Sequence, residues 1–349
     1  MKEAMFYEKV GEGKVQCGLC RHHCLIAAGR RGLCGVRENR GGILMSLVYG
    51  KAVAEQIDPI EKKPLFHFLP GSSTYSVATV GCNFRCRHCQ NYSLSQPVDG
   101  AVRITGNDLA PEEIVARALA AGCRSISYTY TEPTIFFEYA YDIAVLAHAA
   151  GLKNVFVTNG YITAEALECI APYLDAANID LKGFSKKFYR TIVGADLDQV
   201  LECILGYKRL GIWLELTTLI IPHHNDSDAE LQGIAQFIAD KVGVATPWHV
   251  TQFYPTYKLT DQPRTPVDTL RRARQYGLDA GLRYVYEGNL PGGEGENSWC
   301  PACGKLLVER RGFFITGNRV KDGSCPHCGF IIDGLWQQNR KGDLPNDTP

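Results

Sequence analysis

From residue 75 onward the chain alternates apolar, β-rich runs with helix-patterned segments, and no other feature constrains its fold as much. The runs cover 75–80, 125–129, 154–158, 176–181, 212–219, 248–253 and 283–286. Helical patterns lie between them at 111–121, 133–150, 163–173, 197–210, 228–242 and 266–280. Pro111 followed by Glu112 and Glu113 suits a helix start, where a missing N–H costs little and negative charge meets the helix dipole. Gly122, Gly151, Gly211 and Gly281 stand where helices should stop. Strand alternating with helix predicts an α/β fold with a parallel sheet. About six such units build either a doubly wound sheet or a partial barrel. The doubly wound fold would carry a glycine-rich dinucleotide loop after its first strand. Cysteines occupy that place, so a partial (β/α)6 TIM-like barrel over 71–290 is the expectation.

Fourteen cysteines in a small secreted domain would suggest disulfides. This chain has 349 residues, and its opening MKEAMFYEKVGEG lacks the apolar run of a signal peptide, which predicts a cytoplasmic location. Eleven cysteines fall into three groups: Cys17, Cys20, Cys24 and Cys34; Cys82, Cys86 and Cys89; Cys300, Cys303, Cys325 and Cys328. Such short spacings in an intracellular chain read as metal sites. Cys123, Cys169 and Cys203 read as small apolar core residues. Lys+Arg and Asp+Glu both total 37, so no overall field favours nucleic acid or anionic membranes. No stretch is apolar for long enough to span a bilayer.

Ligands of parallel α/β folds gather at the carboxyl ends of the strands. Six consecutive predicted strand ends carry chemically capable groups. They are Cys82, Cys86 and Cys89; Thr131 and Glu132; Thr158 and Asn159; Asp180 and Lys182; His223 and His224; and Tyr254. Three cysteines are one short of a closed site. Zinc would complete it with His88 or another histidine. A four-iron cluster on three thiolates would leave one iron able to bind something else.

The constellation resembles the radical S-adenosylmethionine (SAM) superfamily, whose hallmark C-x3-C-x2-C is matched by Cys82, Cys86 and Cys89. The resemblance implies a 4Fe-4S cluster whose open iron binds SAM, and an electron donor of flavodoxin or ferredoxin type. More narrowly, the chain is similar to glycyl-radical activating enzymes of the pyruvate formate-lyase type and to the radical SAM member of the AmmeMemoRadiSam system. That likeness rests on DPIEKKPLFHFLPG at 58–71, on GCNF at 81–84 with CQN at 89–91, and on YTYTEPT at 128–134. It implies Memo-type and AMMECR-type companions and a possible protein substrate. It also implies SAM contacts at Thr131, Glu132, Asn159, Asp180 and Lys182, with Glu132 meeting the amino group and His88 stacking on adenine. Val157 replaces an aspartate that often precedes the Thr-Asn-Gly of activases, which removes support for any cation site there. His223, His224 and Tyr254 are the substrate-side candidates.

The outer groups frame this barrel. Cys300-Pro-Ala-Cys303 and Cys325-Pro-His-Cys328 are paired knuckles within 296–336, suited to a structural zinc or rubredoxin-type iron. A module this small would hardly fold without a metal. The segment 1–70 carries Cys17, Cys20, Cys24 and Cys34, which could hold zinc or an auxiliary iron–sulfur cluster. Within it, 58–71 could cover the barrel mouth or be ordinary connecting structure, while 291–298 reads as a flexible linker and the polar tail from Gln337 as frayed. The leading expectation is an enzyme that cleaves SAM reductively and abstracts a hydrogen atom; the rival is a non-enzymatic zinc-binding scaffold that recruits a partner.

Overall fold

The computed structural model describes residues 1–97, 101–290 and 292–336; the tail from Gln337 lies outside the described residues. One sheet of eight strands dominates: β1 (Ala54–Pro59), β2 (Ser73–Ala78), β3 (Ser125–Tyr128), β4 (Lys153–Thr158), β5 (Ala176–Asp180), β6 (Trp213–Ile220), β7 (Trp248–Gln252) and β8 (Val285–Gly288). Strands β2 to β8 run parallel in chain order, and β1 joins the edge antiparallel to β2. Helices α1 (Pro111–Ala120), α2 (Phe137–Ala149), α3 (Ala164–Ile170), α4 (Leu197–Arg209), α5 (Asp228–Phe237) and α6 (Val267–Asp279) fill the crossovers. The edge strands β1 and β8 do not pair, so the α/β barrel is partial.

Local chemistry sets these boundaries. Glu113 accepts a hydrogen bond from the Ala110 N–H at the start of α1, while Asp196 and Ser227 cap α4 and α5. The four predicted stop glycines take φ between +67° and +92°, a region closed to most side chains. The pattern beginning at 133 opens as a 3-10 turn, Pro133–Phe136, before α2. Cys123 and Cys203 are buried in the core, and Cys169 packs half-buried against it.

Successive strand residues face opposite sides of a sheet. Asn178 and Asp180 of β5, Glu215 and Thr217 of β6, and His249 and Thr251 of β7 therefore share the barrel lumen. The stretch 58–71 plugs this lumen from below instead of covering the mouth. Because β1 is antiparallel, with Pro59 paired to Ser73, the chain leaves it at the amino ends of the parallel strands, far from the mouth. From there the Pro64 carbonyl accepts from Asn178 Nδ2 at 2.8 Å, and the Glu215 carboxylate accepts from the N–H groups of Phe66 and His67 at 2.9 and 2.7 Å. Burial would raise the Glu215 carboxyl, but the bond from His249 Nε2 at 2.7 Å and its neighbours hold it below the usual range.

The carboxyl-terminal module is a three-stranded antiparallel sheet, Ser298–Trp299, Leu306–Arg311 and Phe314–Asn318, carrying the two knuckles. It is fastened to the plug by Arg310, which is 4% exposed. Its guanidinium donates to the Phe66 and Glu296 carbonyls and lies 4.1 Å from the Phe66 ring centroid. The segment read as a linker is held here too: Glu296 is buried and accepts from the Gly312 N–H. Pro291 lies outside the described residues. The amino-terminal segment packs on α2 through a buried ion pair, Arg37 to Glu138 at 2.9 Å.

Candidate active site

Carboxyl ends of β2 to β7 surround a cavity of about 400 Å³, within the range of small-molecule sites. Cys82, Cys86 and Cys89, from the loop after β2, share its wall with His88, Thr131, Asn159, Asp180 and Lys182. Phe84 N–H and Asn159 Nδ2 both point at Cys82 Sγ from 3.4 Å, and Ser95 Oγ lies 3.1 Å from Cys89 Sγ. Burial pushes the Cys86 thiol up to about 12 and the Cys82 thiol higher still. Without a metal these sulfurs stay protonated; a cation that takes thiolate ligands is what the donor set suits. Three thiolates with no fourth on the same wall fit a 4Fe-4S cluster that keeps one iron open, among the described residues.

The loop is anchored at close quarters. A Cβ at Gly81, whose φ is +95°, would stand 2.9 Å from the Cys34 carbonyl, so only glycine lets the two segments touch. Asn159 Nδ2 also donates to Asn83 Oδ1 at 3.1 Å, tying the end of β4 to the cysteine loop.

Lys182 donates to Asp180 Oδ2 at 2.8 Å. Burial would lower its ammonium, yet the Asp180 carboxylate holds it above the usual lysine range. A fixed cation beside an open carboxylate face is suited to a zwitterionic amino acid. Burial drives His88 down to about 3, with Lys182 and His224 adding to the shift, so its imidazole is neutral. Its Nδ1 is buried without a hydrogen-bond partner, and the ring stacks on Phe188 at 6.4 Å. A neutral flat ring on the cavity wall fits stacking on an aromatic ligand.

Other expected residues sit elsewhere. Glu132 does not line the cavity. Its carboxylate is fully buried and accepts from Thr134 N–H (3.0 Å), Thr134 Oγ1 (2.5 Å), Thr158 Oγ1 (2.8 Å) and Asn159 N–H (2.8 Å). Pro133 turns the chain inward immediately after it, so the side chain becomes a strut between two loops with both oxygens engaged. His223 and His224 also miss the cavity. His223 is exposed at φ +65°, and His224 is half-buried with Nε2 unpartnered. Asn225 ties their turn to the outside of the cavity wall by donating to the Lys182 and Leu219 carbonyls. Tyr254 lies outside the cavity as well, with Arg264 over its ring at 4.6 Å and its hydroxyl on Gln252.

The structure adds groups that spacing alone did not single out. Lys62 and Lys63 of the plug line the floor and share the Asp58 carboxylate at 2.8 and 2.7 Å. Tyr130 Oη donates to the same carboxylate at 2.5 Å. Thr217 and Thr251 follow from strand alternation below the expected loops, which was a usable signal. Asn289 and Phe313 reach the wall from beyond β8 and from the knuckle hairpin, and nothing local in the sequence marks them.

In the knuckle all four sulfurs lie within 4.8 Å of one another, with Cys300–Cys328 at 3.6 Å and Cys303–Cys325 at 3.7 Å. A tetrahedral ion with bonds of about 2.3 Å spaces its sulfurs about 3.8 Å apart. The knuckle is a four-cysteine site for a single ion.

Residues 76–238 match the radical SAM superfamily. With the three-cysteine loop at the mouth of a partial barrel, the chain belongs to that superfamily, which sets the scaffold reading aside: it is a radical SAM enzyme. It is 49% identical over 336 residues to the uncharacterized protein MJ0808 of Methanocaldococcus jannaschii, spanning 95% of this chain and 99% of that one. MJ1632 of the same organism, named as a candidate glycyl-radical enzyme activating enzyme, is 22% identical over 218 residues, 59% of this chain and 78% of that one. The crystal structure of Streptococcus suis SuiB bound to S-adenosylmethionine shares the fold, with a TM-score of 0.50 at 16% identity over 66% of this chain and 53% of that one. Among the described residues no helix is long and apolar enough to cross a membrane.

Proposed function

We propose that this chain abstracts a hydrogen atom from a substrate that enters the barrel mouth, after cleaving SAM at the Cys82–Cys86–Cys89 site. One observation carries the reading: the three cysteines share a single cavity wall with Asp180, Lys182 and Asn159. When bound, the cluster and SAM supply one-electron cleavage of a carbon–sulfur bond and hence a 5′-deoxyadenosyl radical. The protein supplies position and shielding. Cys82, Cys86 and Cys89 hold the cluster, Asp180 and Lys182 hold the amino acid end of SAM, and neutral His88 stacks on adenine. The plug closes the lumen from below, which keeps water from a reactive radical. No side chain has to act as a general base in the cleavage step.

The likeness to MJ1632 favours a glycine Cα of a partner protein as the hydrogen donor, an activating reaction. The motifs at 58–71 and 128–134 resemble those of AmmeMemoRadiSam enzymes, and that likeness supports the narrower reading. In the knuckle we infer zinc. The test is anaerobic protein loaded with iron and sulfide, then given dithionite and SAM. It releases 5′-deoxyadenosine, and Cys86→Ala abolishes the release. Equal release from the variant would overturn the reading. Deuterium placed on a candidate substrate and recovered in 5′-deoxyadenosine identifies the hydrogen donor.

A further inference from the structure

The four amino-terminal cysteines close around a place of their own. Cys17, Cys20, Cys24 and Cys34 wall a cavity of about 10 Å³ together with Leu19, Ile26 and Ile135. None of the four lines the SAM cavity. We propose that this cradle holds a second iron–sulfur cluster, and that the cluster relays electrons to the barrel site.

Geometry separates this from a zinc site. A zinc ion with four sulfurs about 2.3 Å away leaves no space at its centre for a water-sized sphere. Here such a space exists among the cysteines. The knuckle is the only set of three or more ligand atoms gathered within 4.8 Å of one another among the described residues. Neither Cys82, Cys86 and Cys89 nor the amino-terminal four are drawn in so tightly. The cradle thus shares the wider spacing of the barrel cysteines, as a multi-iron core requires.

Stability gives no reason for zinc either. The knuckle module contributes few residues to its small apolar cluster, which leans on Phe66, Tyr284 and Tyr286 from outside it, so a metal would supply much of its hold. Cys17 and Cys34 instead pack within the main core, beside Val15, Leu19, Ile26 and Val36, and the buried Arg37–Glu138 pair fastens the segment to α2.

Position assigns the relay. The Arg85 guanidinium donates to the Cys82 carbonyl at 2.8 Å and also to the carbonyl of Leu33, the neighbour of Cys34. His22 Nε2 donates to the Asn83 carbonyl at 2.8 Å. The Cys34 carbonyl would meet a Cβ on Gly81, so the two cysteine segments touch directly. On its other side the cradle approaches solvent: Cys24 is half-buried, and His23, Leu25 and Leu33 are exposed. A cluster here is shut off from substrate but spans the path from surface to barrel. One electron from a flavodoxin- or ferredoxin-type donor reduces it, and the same electron passes on to the barrel site, returning the second cluster to its oxidised state.

The relay, though not the cluster itself, rests on the radical reading of the barrel. Metal content of the whole chain, purified and loaded without oxygen, tests the cluster. Wild type should hold clearly more iron than the about four atoms of one four-iron cluster, with about one zinc per chain. A Cys82→Ala, Cys86→Ala, Cys89→Ala triple variant should stay brown and, once reduced, keep an electron paramagnetic resonance signal. Wild type with about four irons and about two zincs, or a colourless zinc-bearing triple variant, overturns the proposal. A Cys17→Ser, Cys34→Ser variant then tests the relay. Its 5′-deoxyadenosine release should fall about tenfold or more with flavodoxin as donor, but stay within about threefold with dithionite. Equal losses with both donors overturn the relay. If the barrel reading itself fails, wild type still carries the extra iron but cleaves no SAM with either reductant.

Discussion

Glu132→Gln separates two roles for one carboxylate, since family resemblance makes it a SAM ligand and the structure makes it a strut. In the folded chain Oε1 accepts three hydrogen bonds and Oε2 accepts one, from the Asn159 N–H at 2.8 Å. Burial pushes the carboxyl above its usual range, with the donors of Thr134, Asn159 and Thr158 working against that shift. A glutamine of the same shape can keep its oxygen on the three-donor side. Its NH2 group then faces the Asn159 N–H, where two donors meet and no acceptor remains. Losing one hydrogen bond to a charged group costs about 1.5–3 kcal/mol, and a stranded buried donor about 1–3 kcal/mol. The variant should therefore unfold about 3 kcal/mol more easily, read as a lower denaturant midpoint at unchanged slope. Asn159 would loosen its hold on Cys82, but SAM affinity of the cluster-loaded protein should change by less than about threefold, or about 0.7 kcal/mol. Unchanged stability with SAM binding weakened more than about tenfold would refute the strut and restore the ligand role.

Lys182→Met removes the cation paired with Asp180 and should weaken SAM binding about 10–100-fold by equilibrium dialysis; unaltered binding would remove Lys182 from the SAM site. Burial lowers His67 to about 4, against the opposing pull of Glu215 and of the Asp333 carbonyl, to which Nδ1 donates while Nε2 accepts from Tyr286. Its unfolded value is about 6.5, so the unfolded chain binds the proton first, and stability should fall as pH drops from about 6.5 to about 4. A His67→Phe variant should lose that part of the slope in acid unfolding curves; an identical slope argues against His67 as its source. Stripping the knuckle metal with a chelator, or Cys325→Ser, should open the module that Arg310 fastens to the plug and expose Phe66. Greater hydrogen exchange confined to 298–336 and 60–71 would report it, whereas unaltered exchange would mean the module folds without metal.

The barrel was legible because its signals are local. Apolar runs with period two, helix caps and stop glycines placed seven parallel strands and six helices within a few residues. The Cys82 loop was legible for the same reason, since its spacing is fixed by one short turn. Glu132 illustrates where local reading ends. Its position along the chain put it at a strand end beside the site, but whether its carboxylate faces a ligand or a neighbouring loop depends on Thr158 and Asn159, which arrive from another strand. His223, His224 and Tyr254 are absent from the cavity wall for a similar reason: their directions depend on contacts made by neighbouring segments, such as Asn225 on the Lys182 carbonyl and Arg264 over the Tyr254 ring.

What the sequence determined by itself was the parallel barrel, the three-cysteine loop at its mouth, and the four-cysteine knuckle that follows the barrel. Each is set by residues close together in the chain, so spacing carries the information. Tertiary structure decided that 58–71 fills the lumen instead of covering the mouth, because β1 turned out antiparallel and delivers the chain to the opposite end. It also decided that the amino-terminal cysteines lie against the Cys82 loop, through Arg85, His22 and the bare Cα of Gly81. Contacts between residues far apart in the chain depend on how strands order and point in the sheet, and no short stretch of the chain encodes that.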